Sequence, residues 1–146
     1  MQIKNAIGLT LVELLVALMI TGIMVAVSVP SLNGLLQSYK LMNATRIVWL
    51  DLHKAKMMAI KQGRTIRVDF AATSYNAVSV DTATVVLNRN LSVDYPGITF
   101  NTTATTASVS FGSAGTSNGG TVVIQQGSAS SKRFTIALTG RISKIS

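Results

Sequence analysis

Apolar side chains run almost unbroken over residues 9–29, thin into stripes over 31–62, and then alternate with polar ones; each pattern predicts a different element. The first run holds twenty-one residues, of which Glu13 alone is charged. As a helix rising about 1.5 Å per residue it would be about 31 Å long, close to the ~30 Å hydrocarbon thickness of a bilayer, so it is expected to cross a membrane once. The helix is expected to continue to residue 62, because Gly34 is the only glycine there and no proline interrupts it. Leu32, Leu35, Leu36, Tyr39, Met42, Trp49, Leu50, Met57 and Ile60 recur at helical spacing, and Leu41, Ala44, Val48, Leu52, Ala55 and Ala59 form a second stripe. Two stripes predict two contacts, one with the chain's own sheet and one with another chain; a single core taking both is the alternative. Gly63 follows as the expected C-cap, with Lys61 in the last turn.

From Arg64 the period falls to two: Ile66, Val68 and Phe70 alternate with Thr65, Arg67 and Asp69. Further short strands are expected at 76–80, 84–87, 98–100, 108–111, 121–125, 133–138 and 141–145, punctuated by Pro96-Gly97 and the glycine-rich stretches 112–120 and 127–131. A long helix followed by short strands predicts an α+β fold, the second half of the helix lying on an antiparallel β-sheet head. Between residues 91 and 131 Asp94 is the only charge, and this polar stretch is expected to be largely loop or edge hairpin with exposed tips. Pro30 lacks a backbone donor and crowds the carbonyl of Ala26, so the helix is expected to bend or partly unwind there, with Gly34 softening the same region.

Composition narrows the class. The 146 residues suffice for one small domain besides the apolar run. Every basic residue but Lys4 and every acid but Glu13 lies beyond Pro30, so that portion carries the whole net charge of +8. The absence of cysteine excludes a disulfide scaffold and thiolate metal sites without fixing the compartment.

A lone carboxylate in an apolar helix costs a few kcal/mol and persists when something pairs with it. The run itself offers no cation, and Lys4 is too far back along the chain. A free α-amine from a second copy would serve, created by a cut between Gly8 and Leu9 that leaves Glu13 as the fifth residue. The alternatives are an ordinary secretory signal cleaved after Ser28, whose apolar core would exceed the usual length of roughly 7 to 15 residues, and a plain anchor in which Glu13 is incidental.

These residues carry a resemblance. The leader MQIKNAIG, then LTLVELLVALMI and a proline at the end of the run, resembles the class III signal of type IV pilins and type II secretion pseudopilins. The resemblance implies cleavage by a prepilin peptidase between Gly8 and Leu9, N-methylation of Leu9, a filament-docking role for Glu13 and a loosened helix at Pro30. Leu9 stands where the family usually has Phe. Over the head, Ala55, Ala59, Gly63, Phe111, Gly112 and the Gly140-Arg141 pair resemble the GspH/FimT subgroup of minor pilins and pseudopilins. For GspH-like members this implies a place in the secretion pseudopilus; for FimT-like members, a type IV pilus, some of them binding DNA through a basic C-terminal segment. The sequence here reads Gly140-Arg141-Ile142-Ser143-Lys144. If the last two strands pair, Lys132, Arg133, Arg141 and Lys144 are candidates for a salt-sensitive contact with a phosphate backbone, although the segment offers only Phe134 for base stacking. A solvated basic face, or one meeting anionic lipid or an acidic partner, is the plainer alternative.

Catalysis is not expected. His53 is the only histidine and sits beside Trp49 and Met57 on a helical stripe, while Asp51, Asp69, Asp81 and Asp94 show neither metal-ligand spacing nor carboxylate pairing. No cofactor, metal or small-molecule substrate is expected. The expected organisation is a leader (1–8), a transmembrane and filament-core helix (9–29), its amphipathic continuation (30–62) and a periplasmic head (63–146). Lys4 keeps the leader cytoplasmic at the inner membrane. Expected partners are other pilins or pseudopilins, the prepilin peptidase, the inner membrane and, in the alternative reading, DNA.

Overall fold

The computed structural model describes residues 10–127 and 130–145, with side chains at 28–32 and 145 outside the description. Helix α1 (Leu11–Gln62) opens with a cap. The Glu13 amide donates to the Thr10 carbonyl oxygen at 3.1 Å and to Thr10 Oγ1 at 3.3 Å, satisfying an N–H that the first turn would leave bare. Its other end closes as the lone glycine predicts. Gly63 takes a left-handed φ of 64°, its N–H donates to the Ile60 carbonyl at 3.3 Å, and the Arg64 N–H reaches back to Ala59 O at 3.1 Å, the paired bonds of a Schellman stop. Between these ends α1 remains helical through Pro30, so the unwinding expected there does not occur; the proline removes one donor from a helix of 52 residues.

The chain divides into two compact units between Leu36 and Gln37. In the first, the described side chains of α1 up to Val27 all face outward, and the large apolar ones range from Val16 at 47% to Leu11 at 79% exposed. The second unit starts within the helix, ahead of the expected head boundary at 63, because the buried stripe of α1 is part of the head's core.

That core lies between α1 and two antiparallel sheets. The first sheet has the order β3 (Val85–Asn90), β2 (Ser74–Ser79), β1 (Ile66–Phe70), β5 (Ser108–Phe111). The second has β4 (Ile98–Phe100), β6 (Gly120–Gln126), β7 (Ser130–Ile136), β8 (Ile142–Ile145). All pairings are antiparallel, and strict alternation sets which face is buried: Ile66 and Val68 on β1, Tyr75 and Ala77 on β2, Val109 and Phe111 on β5. The second sheet contributes Ile98, Phe100, Val122, Ile124, Phe134, Ile136 and Ile142. Leu41, Ala44, Val48, Leu52, Ala55 and Ala59 are each at most 3% exposed and complete the core from the helix side. Alanines at three of these six positions let the helix approach the strands closely. Phe70, Tyr75 and Phe100, with ring centroids 5.3–6.0 Å apart, join the two sheets.

The polar stretch 91–131 is more structured than its composition suggests. It holds β4, β5 and β6, and β6 is an interior strand. It also opens with a short helix, α2 (Leu91–Asp94), whose cap Asn90 accepts from the Ser92 amide at 3.0 Å while Leu91 is fully buried.

Candidate functional site

Among the described residues no cleft gathers a nucleophile, a base and an oxyanion donor; the features that stand out are surfaces on and beside α1. The two helical stripes part company. The stripe from Leu41 to Ala59 is core. The other remains uncovered among its described side chains: Leu35, Leu36, Tyr39, Met42, Leu50, Met57 and Ile60 are all exposed, from Ile60 at 43% to Met57 at 61%. Only Trp49 is drawn in, partly buried against the core and 4.1 Å from the His53 ring, whose Nδ1 lies 3.0 Å from the Trp49 carbonyl oxygen. His53 is thus a packed surface histidine. An apolar face this long is far more than a solitary soluble helix leaves in water.

Of the residues singled out by sequence, Gly8 and Leu9 lie outside the described residues, as does the side chain of Pro30. Glu13 sits in the first turn of α1, at the positive end of the helix dipole, with its side chain exposed.

The four C-terminal cations are distributed by strand register. β7 and β8 pair as a hairpin, with Phe134 opposite Lys144 and Arg133 opposite Ile145. Residues directly opposite share a face, so Lys144 lies on the same side as buried Phe134, and Lys132, two residues before Phe134, joins it. Arg133 points to the other face, and Arg141 is exposed beside the turn. The hairpin therefore brings Lys132 and Lys144 together on the helix side and sets Arg133 apart. Lys144 lines two hollows between α1 and the second sheet, one of about 500 Å³ with Met42, Arg46, Trp49, Phe134 and Ile142, the other of about 630 Å³ with Ser38, Leu41, Ser131 and Lys132. Arg46 escaped sequence reasoning; its spacing, four residues beyond Met42, was the available signal.

Gly140 has a structural reason to be glycine. It holds a φ of 72° and is buried, and a Cβ there would run into the Gly115 carbonyl oxygen. Its own carbonyl accepts from Lys56 Nζ at 3.0 Å, which fastens the hairpin turn to α1.

A buried polar network was also missed. Asp51 Oδ2 accepts from the Tyr75 hydroxyl at 2.6 Å and from Arg89 Nε at 2.8 Å, and Arg89 reaches Asp94 at 3.4 Å. Burial, then the bond to Asp51, raises the Tyr75 pKa well above the ordinary value for tyrosine, while the hydrogen bond to Asp51 raises that of Arg89. Asp51 lies three residues past Val48, on the core stripe, which marks it as an acid in need of a partner. Its role is structural: it fixes α1 to the first sheet.

Comparison with known proteins agrees with this architecture. The family described as type II transport protein GspH matches residues 44–140, and the prokaryotic N-terminal methylation motif matches residues 3–29. No curated protein matches. Two crystal forms of the type IV minor pilin FimU from Pseudomonas aeruginosa (strain PAO1) share the fold. One aligns with a TM-score of 0.60 at 15% identity, covering 74% of this chain and 90% of that one. The other gives 0.58 at 16%, covering 73% and 93%. A long N-terminal helix carrying an antiparallel head defines a pilin-like subunit. The chain belongs to the GspH family: it is a minor pilin or pseudopilin of a type II secretion system or type IV pilus, a structural subunit and not an enzyme. As such it assembles with other pilins, and the methylation motif with the family match marks it as anchored at the inner membrane. Among the described residues, no helix is long and apolar enough to cross a membrane; the expected span, 9–29, begins at a residue outside them and ends at two whose side chains are outside the description.

Proposed function

We propose that the chain is made as a precursor from which a prepilin peptidase removes residues 1–8, cutting between Gly8 and Leu9. The new amine on Leu9 is methylated. Residues 9–29 cross the inner membrane once, with the head in the periplasm, until the subunit is drawn into a filament. The observation that carries this reading is the exposure of apolar side chains along α1, at Leu11 to Val27 in the first unit and at Tyr39, Met42, Leu50, Met57 and Ile60 in the second. Lipid covers the first part before assembly, and neighbouring helices cover it together with Tyr39, Leu50, Met57 and Ile60 afterwards. Glu13 supplies direction: an amine from an adjacent copy neutralises a carboxylate that is costly when left alone in an apolar setting.

The reading is tested with Glu13→Ala expressed in a strain lacking the native chain. Processing at Gly8 should proceed while incorporation into sheared filaments falls sharply; normal incorporation would remove the pairing argument.

A second reading, contact with DNA, is favoured by one observation: Lys132, Arg133, Arg141 and Lys144 have no ion-pair partner among the described residues. It is weakened by their division between two faces. A phosphate backbone would meet Arg133 and Arg141 from one side and the two lysines from the other.

A further inference from the structure

The region between α1 and β8 combines features found nowhere else among the described residues. β8 is the last strand of its sheet, and no described strand pairs with its outer edge, which leaves backbone donors and acceptors there without a strand partner. Beside that edge the two hollows share Met42 and Lys144 and so form one groove. Its floor is apolar, made by Met42, Trp49, Phe134 and Ile142, and its rim is cationic, with Arg46, Lys132 and Lys144. No carboxylate lines either hollow.

We propose that this groove binds an extended acidic peptide segment of a partner protein, which adds a strand to the edge of β8. The chemistry of each wall points to that occupant. An unpaired strand edge recognises extended backbone, because main-chain hydrogen bonds supply affinity regardless of sequence. Alternation then sends every second side chain of the added strand toward α1, where the floor of Met42 and Trp49 takes apolar groups. Carboxylates at the first and last of these α1-facing positions meet Arg46, Lys144 and Lys132, whose charges lack partners among the described residues. A nucleic acid would use the cations and leave the apolar floor and the strand edge idle; a lipid headgroup would leave the edge idle.

The inference rests on the reading of the chain as a docking subunit, but its failure is distinguishable. Loss of peptide binding leaves filament incorporation of the native chain intact, whereas failure of the assembly reading appears in Glu13→Ala. Trp49 is the only tryptophan, so its fluorescence reports the groove in the full chain held in a neutral detergent. The probe is a capped peptide of about seven residues with valine at its two central α1-facing positions, glutamate at its first and last α1-facing positions and threonine between them. It should shift Trp49 emission saturably, while the same peptide with lysine for glutamate should not. The acidic probe with N-methylated backbone at alternate residues should bind about tenfold or more weakly, since it cannot complete the edge bonds. Arg46→Glu combined with Lys144→Glu should exchange the preference, so that the lysine probe now binds; that gain shows the variant is folded. Equal binding of the N-methylated and unmodified probes would overturn strand addition without recourse to any variant. An emission change produced only by phosphatidylglycerol vesicles or by an oligonucleotide would overturn the peptide as occupant.

Discussion

The hydroxyl of Tyr75 donates a 2.6 Å hydrogen bond to Asp51, joining the middle of α1 to the second strand of the first sheet. Arg89 holds the same carboxylate oxygen at 2.8 Å, so the acid is buried with two donors. This small network, rather than an active site, brings together Asp51, Tyr75, Arg89 and Asp94.

Removing the hydroxyl by Tyr75→Phe should destabilise the head by about 1–3 kcal/mol, the usual cost of a lost bond to a buried charged group. Asp51→Asn should cost as much or more, because Arg89 then keeps only the longer, more exposed pairing with Asp94. Urea unfolding followed by circular dichroism measures both.

The same tyrosine gives a pH dependence. Its folded pKa is raised above the ordinary value of 10.0, so the folded chain retains a proton that the unfolded chain releases. The contribution is therefore complete below pH 10 and is lost as pH rises past it, since the unfolded state then binds fewer protons. Between pH 9 and 11 the native chain should lose stability more steeply than Tyr75→Phe; parallel curves would mean that the network does not hold the proton.

Gly140→Ala should be among the more damaging single changes in the head, at least about 2 kcal/mol, since it combines left-handed strain with a collision against the Gly115 carbonyl. Gly63→Ala meets open space and suffers the strain alone, about 1 kcal/mol. Thermal unfolding of the two variants side by side checks the order.

The two stripes of α1 should separate by consequence. Leu52→Ala should cost about 2–5 kcal/mol of head stability, whereas Met57→Ala should leave stability within about 0.5 kcal/mol and reduce incorporation into filaments. Because the native chain has no cysteine, Met57→Cys and Leu52→Cys provide a second readout: the first should form cross-links to neighbouring subunits and the second should not.

Much of this was readable from local pattern. Ile66 to Phe70 alternate cleanly and form β1; Gly63 ends α1 where a lone glycine after a helical run must; the stripe of Leu41, Val48 and Leu52 is the core. What was not readable depends on distant partners. One expected sheet is two, because strand order follows from contacts between segments far apart in sequence, such as β1 with β5. α2 is too short for any period to reveal, and only the Asn90 cap betrays it. The basic residues near the terminus looked like one cluster in sequence, and the register of Phe134 against Lys144 divides them. The acid at position 51 gained its meaning only once Tyr75 and Arg89 were placed beside it.

The central claim is that Glu13 is answered by the amine of a processed neighbour. Its most direct test is the N-terminus of the native chain recovered from sheared filaments, read by intact mass and terminal sequencing. The account expects a first residue of Leu9, carrying an N-methyl group. A chain beginning at Met1, or at Val29, would place no amine beside Glu13 and would contradict it.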